Sequence, residues 1–205
     1  MIPHIRVVHL EDISPGKFTD FADSIKYMGL KFKCESVPKP GPYAGIEWLM
    51  PTFVVVFIAN AYFDGFLKEA GKDHYQLLKT GLAKLSEKFD RRNMPETRLV
   101  FTKGKAKNEI PKFSLSYSVY AELEEGITAK LLLHTDFTAE QCNEAISSFL
   151  DFLQDAHEGN LTPSSVNGLS NAQLVGRTLL VTYSPEFKQL EVVDPIPKKA
   201  REIAA

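Results

Sequence analysis

The chain contains little cysteine and has no large excess of charge of either sign. Only Cys34 and Cys142 occur among 205 residues, which is too few for a disulfide framework and leaves neither thiol with metal-ligand partners at a useful spacing. The formal net charge of −2 gives no electrostatic reason to expect nucleic acid or an anionic membrane as a partner. We therefore expect a cytoplasmic protein in a reduced state, without a bound metal.

Long apolar runs and familiar catalytic motifs are also missing. No run approaches the roughly 20 apolar residues that a membrane helix requires, and the first residues do not form the basic and then apolar pattern of a signal peptide. The sequence has no Walker loop, no G-x-G-x-x-G, no paired C-x-x-C and no G-x-S-x-G. These absences exclude the assignments that motifs support most strongly.

The order of apolar and polar segments is typical of an α/β protein. Residues 1–110 alternate strand and helix patterns, including a strand predicted at 98–102, and this alternation predicts a three-layer, mostly parallel, flavodoxin-like sheet. Residues 111–194 predict an antiparallel C-terminal extension made of a hairpin at 113–134, a helix and a final strand pair. Residues 195–205 read as a frayed tail. A length of 205 residues suits one domain.

The most informative stretch is a Pro/Gly loop, an apolar strand and a polar helix start that follow one another from residue 37 to residue 85. The strand at 53–58 has six apolar residues in a row, so we expect it to be central, parallel and covered on both faces. The helix after it begins near Asn60, and Gly71 predicts a bend or a break. Polar residues at the carboxyl end of a buried strand are where open α/β sheets bind ligands.

Glu69 is the strongest catalytic candidate in this region. It follows Asn60 and Asp64 on the predicted helix, and a carboxylate facing aromatic side chains could stabilise a positively charged transition state. Tyr43, Trp48, Tyr62 and Phe66 are the aromatic candidates. The alternative is that Glu69 belongs to the solvated face of a surface helix, together with its charged neighbours Lys68, Lys72 and Asp73.

Residues 5–85 resemble the first half of the Toll/interleukin-1 receptor (TIR) domain family. The matching features are Pro40-Gly41 in the loop, Val54-Val55-Val56 in the strand, Asn60-Ala61-Tyr62 after it, and Glu69 on the helix. The resemblance implies a flavodoxin-like fold. In the members that cleave or rearrange NAD, it also implies a catalytic role for Glu69 and a binding role for Tyr43 or Trp48.

Two functions follow as expectations. The first is a TIR-like enzyme that cleaves NAD, or a related nucleotide, at the nicotinamide–ribose bond, with NAD as substrate and no cofactor. Glu69 would be its catalytic residue, and Tyr43, Trp48, Asn60, Tyr62 and Asp64 would bind the substrate. The second is a non-catalytic module that binds a partner protein or senses a ligand. Self-association is expected in either case, because the resemblance implies that TIR domains act in assemblies.

Overall fold

The computed structural model of the chain describes residues 2–38, 52–89, 111–124, 126–162 and 165–194. Seven strands form a single sheet in the order β2-β1-β3-β4-β5-β6-β7. The strands are β1 (Ile5–Leu10), β2 (Phe32–Val37), β3 (Val54–Ile58), β4 (Tyr117–Glu124), β5 (Ile127–Leu131), β6 (Thr178–Ser184) and β7 (Gln189–Val192).

The sheet is mixed, whereas the alternation of strands and helices predicts a mostly parallel one. Strands β1 and β2, β3 and β4, and β5 and β6 pair in parallel. These pairs are joined to one another, and to β7, by three antiparallel pairings. The alternation correctly predicts parallel crossovers, but it does not tell how successive crossovers are oriented, and here they alternate in direction.

Three α-helices lie in the three parallel crossovers: α1 (Thr19–Ser24), α2 (Leu67–Lys88) and α3 (Ala139–His157). A 3₁₀ turn at Pro15–Phe18 precedes α1, a π-helical segment at Tyr62–Phe66 precedes α2, and a 3₁₀ turn at Leu169–Asn171 follows α3. Helix α2 packs against both α1 and α3, and all three cover the same face of the sheet. The described helices therefore form one layer, and the three-layer flavodoxin-like arrangement is not confirmed.

The face of the sheet that contacts the helices is an apolar layer. Along β3, Val54, Val56 and Ile58 are fully buried, while Val55 and Phe57 on the other face are only partly buried. The predicted strand is thus present and central, but its two faces are not equally covered. On α2 the spacing of Leu78, Leu82 and Leu85 places a fully buried stripe against this layer.

The local signals in the second half of the chain are confirmed, although this half is not a separate extension. Strands β4 and β5 form the predicted antiparallel hairpin, and β6 and β7 form the predicted final pair. Thr138 and Gln141 make the reciprocal bonds of a capping box at the start of α3. Because β4 pairs with β3 and β5 with β6, these strands continue the same sheet.

Gly71 interrupts α2 as its position predicted. Its φ of 79° and ψ of −177° lie outside the helical region, in a part of backbone space that glycine alone adopts easily. The predicted strand at 98–102, most of the Pro/Gly loop and the tail at 195–205 lie outside the described residues. Among the described helices, none has the length and apolar composition needed to cross a lipid bilayer.

Candidate functional site

The π-helical segment after β3 presents one carboxylate, that of Asp64, at the end of the sheet where β3 ends. Within Tyr62–Phe66, the aromatic residues Tyr62, Phe63 and Phe66 are buried, whereas Asp64 and Gly65 are exposed. A π-helical turn is wider than an α-helical one and is frequent at functional sites. Here it lets three large rings enter the core within five residues while the Asp64 carboxylate remains at the surface.

Asp64 and Glu69 line one open cleft of about 520 Å³. The other side chains around it come from a different part of the fold: His4 precedes β1, and Lys31 precedes β2. Strand β3 runs antiparallel to β1, and β1 runs parallel to β2. The first residues of β1 and β2 therefore lie at the same end of the sheet as the last residue of β3. The remaining lining residues are Gly29, Ala61, Gly65 and Phe66. Two carboxylates from the helical side and two basic side chains from the strand side thus share the cleft.

His4 is held between the strand starts and the π-helical segment. Its Nδ1 accepts a hydrogen bond from the Lys31 backbone amide at 3.2 Å, and its ring centroid lies 5.3 Å from that of Phe66. Burial is the main reason that the pKa of His4 is lowered, and the nearby charge of Lys31 lowers it further. Lys31 itself is exposed, so it is the more available cation in the cleft.

Tyr62 lies below the cleft, in the core. Its hydroxyl is 3.0 Å from His74 Nδ1, and His74 Nε2 donates to the Ile25 carbonyl at 2.8 Å. Since a carbonyl oxygen only accepts, the neutral His74 ring uses Nδ1 as an acceptor for the Tyr62 hydroxyl. Burial raises the pKa of Tyr62. Burial also lowers the pKa of His74, against the opposing effect of the bond to Ile25. In this arrangement Tyr62 fixes the helix start from inside.

Asn60 and Asp64 also belong to a polar network that joins three elements. The Asn60 backbone amide donates to Glu122 Oε2 at 2.8 Å. His157, the last residue of α3, donates from Nε2 to the Glu122 carbonyl at 3.0 Å, and its Nδ1 lies 3.4 Å from Asp64 Oδ1. Asn60 Oδ1 is buried and has no hydrogen-bond partner among the described residues. Such an orphan acceptor is a candidate for a bond from a ligand or a water molecule.

The structure brings some of the predicted site residues together and leaves others apart. Asp64 and Glu69 share the cleft, whereas Tyr62 is fully buried beneath it, and Asn60, whose backbone N–H donates to Glu122, does not line it. Glu69 is exposed and makes no hydrogen bond or ion pair with another described residue. The predicted aromatic partners Tyr43 and Trp48 lie outside the described residues.

Sequence reasoning missed four residues at this edge: His4, Lys31, Glu122 and His157. His4, Lys31 and His157 stand at or directly beside the end of a strand or helix, and Glu122 lies two residues before the end of β4. These positions were the available signal. Which ends meet depends on strand direction, however, and the prediction of a mostly parallel sheet brings different ends together. Among the described residues, no group of three or more His, Cys, Asp or Glu side chains could hold a metal ion.

Comparisons with known proteins give the site no relative from which a role could be taken. The chain matches no protein-family model, no curated protein and no solved structure. The chemistry of the cleft has therefore to be argued from its own residues.

Proposed function

We propose that the protein is a binding or sensing module that takes a dipolar nucleotide of the NAD type in the cleft beside the π-helical segment. The observation that supports this is the origin of the charges: the Asp64 and Glu69 carboxylates come from the helical side, and the Lys31 ammonium comes from the start of β2. NAD⁺ has a cationic nicotinamide ring and an anionic pyrophosphate, so it carries charges complementary to both sides.

Binding is favoured over cleavage by the surroundings of Glu69. A carboxylate that stabilises a developing positive charge works best when it is fixed in advance and shielded from water. Glu69 is exposed, and no described residue holds it by a hydrogen bond or an ion pair. In that setting it attracts a cationic ligand, but it is not preorganised for an oxocarbenium-like transition state.

Cleavage of NAD at the nicotinamide–ribose bond is the second candidate. The observation in its favour is that Asp64 and Glu69 line the same cleft, at the carboxyl end of the strand where the resemblance to TIR domains predicts a catalytic glutamate. In this proposal Glu69 stabilises positive charge on the ribose, and Tyr43 or Trp48 holds the nicotinamide end. Assembly into oligomers would then complete the pocket.

The test is calorimetric titration of the purified protein with NAD⁺ and, separately, with NADH. The two ligands share the pyrophosphate, but the reduced ring of NADH is uncharged. We expect NAD⁺ to bind more tightly, and we expect Glu69→Gln and Asp64→Asn each to remove part of this preference. An exposed charge pair is worth about 0.2–1 kcal/mol, so each variant should lower NAD⁺ affinity roughly 1.5- to 5-fold.

Asp73→Asn is the matched control, because Asp73 is an exposed carboxylate on the same helix and is not part of the cleft lining. It should leave the preference unchanged. Nicotinamide release, measured in the same samples, separates the two candidates: turnover that disappears in Glu69→Gln would make the protein an enzyme. If neither nucleotide binds, the proposal of a nucleotide site is refuted, and a partner protein becomes the ligand to search for.

A further inference from the structure

We propose that His157 is a positioning residue for Asp64, which it holds at the wall of the cleft when its imidazole is protonated. This inference deepens the proposed function and rests on it for its consequence in ligand binding. The contact between the two side chains can, however, be tested without any ligand. Its basis is the geometry by which the end of α3 meets the π-helical segment.

The His157 ring is fixed on two sides. Its Nε2 donates to the Glu122 carbonyl at 3.0 Å, and its plane stacks on Phe63 with ring centroids 4.5 Å apart and an interplanar angle of 10°. The side chain is only 6% exposed. A ring held by a stack and a backbone bond has little freedom left, so the direction in which Nδ1 points is set by the fold.

Nδ1 of this fixed ring faces Asp64. It lies 3.4 Å from Asp64 Oδ1, and the Asp64 side chain is 47% exposed, so the carboxylate reaches both the histidine and the solvent-filled cleft. Because Nε2 already carries a proton for the Glu122 carbonyl, Nδ1 can donate to Asp64 only when the ring carries both protons. Protonation therefore adds an attractive contact, and deprotonation leaves two electron-rich atoms facing each other.

Other charged groups lie near this contact in the described part of the chain. Lys31 and Glu69 line the same cleft as Asp64. Glu122 comes from β4, but its carboxylate accepts from the Asn60 amide. Glu158, next in sequence to His157, accepts hydrogen bonds from Gln154 and Asn160. His4 lines the same cleft as Asp64, and burial, together with the charge of Lys31, lowers its pKa. A pH dependence of binding must therefore be compared between variants rather than measured in the native protein alone.

The first test is a double-mutant cycle on unfolding, with Asp64→Asn, His157→Gln and the double variant. We expect the two side chains to attract each other more strongly at about pH 5.5 than at about pH 8.5, because only a doubly protonated imidazole donates from Nδ1. For a half-exposed pair the coupling should change the unfolding equilibrium constant about 2- to 5-fold. Coupling of equal size at both pH values, or no coupling at either, would overturn the proposal.

The second test is the pH dependence of NAD⁺ affinity. Positioning the Asp64 carboxylate can add no more to binding than its charge contributes, about 0.2–1 kcal/mol, so the native protein should bind NAD⁺ up to about 5-fold more tightly at about pH 5.5 than His157→Gln does. At about pH 8.5 the two proteins should bind alike. His134→Gln is the matched control. His134 is also a partly buried, ring-stacked histidine, but it follows the last residue of β5 and therefore lies at the end of the sheet opposite to the cleft.

The two tests separate this inference from the function on which it rests. If the cycle shows acid-dependent coupling and NAD⁺ does not bind at any pH, the contact is confirmed and the proposed nucleotide site is wrong. If NAD⁺ binds and His157→Gln follows the native pH profile, the positioning role is overturned, whatever the coupling. Support requires acid-dependent coupling between the two side chains. It also requires that the pH profile of NAD⁺ affinity becomes flatter in His157→Gln and stays unchanged in His134→Gln.

Discussion

Replacing Tyr62 by phenylalanine tests whether the buried tyrosine–histidine pair stabilises the start of the helix below the cleft. Tyr62 and His74 are 0% and 1% exposed, and their hydrogen bond measures 3.0 Å. Tyr62→Phe removes one oxygen atom and keeps the ring, so the packing against Phe63 and Phe66 is retained. What is lost is the only described donor to His74 Nδ1.

The expected cost follows from the burial of the atom left behind. A buried acceptor without a partner costs about 1–3 kcal/mol, and His74 is too deeply buried for bulk water to replace the hydroxyl. A domain of this size loses about 2–4 °C in melting temperature for each kcal/mol. Tyr62→Phe should therefore lower the melting temperature by roughly 2–12 °C.

The measurement is thermal and urea unfolding near pH 8, where His74 is neutral in both the folded and the unfolded chain. Tyr27→Phe is the matched control. The Tyr27 ring packs edge-on against His74 with centroids 5.6 Å apart, but its hydroxyl makes no hydrogen bond to a described residue and the side chain is 46% exposed. A surface change of this kind should stay within about 0.5 kcal/mol.

The reasoning is refuted if Tyr62→Phe is as stable as the native protein, or if Tyr27→Phe loses as much. The first result would mean that His74 does not depend on the hydroxyl. The second would mean that loss of any tyrosine hydroxyl near His74 has the same effect, and that the hydrogen bond is not the cause.

Three further predictions concern stability. Burial lowers the folded-state pKa of His4, His74 and His134, so the unfolded chain binds more protons and the free energy of unfolding should fall as the pH drops below about 6.5. An unchanged urea midpoint between about pH 7.5 and about pH 5 would contradict this. Gly71→Ala should cost about 1–3 kcal/mol in urea unfolding because of its positive φ, whereas Gly65→Ala, which meets no atom within 4 Å, should be close to neutral. Thr138→Ala removes the capping box of α3 and should cost about 1 kcal/mol by the same measurement, with no effect on nucleotide binding.

The sequence by itself determined the features that depend on near neighbours. The apolar run at β3, the alternation along β4 and β5, the capping residues Thr138 and Gln141 and the break at Gly71 all follow from side-chain periodicity and backbone preference within a few residues. For that reason the type and place of these elements, and the α/β class, were predicted correctly. The helix start after β3 was found in the same way, and with it Asp64 and Glu69.

Only the tertiary structure decided how these elements meet. The antiparallel pairing of β1 with β3 brings His4 and Lys31 to the cleft, and the packing of α3 brings His157 to Asp64. These contacts join residues that are far apart in the chain, and their free energies come from burial and hydrogen bonds shared between elements rather than from local preference. No pattern within one segment encodes such a pairing. The sequence therefore predicted two carboxylates that line the cleft, and the fold brought His4 and Lys31 to the same cleft and His157 to Asp64.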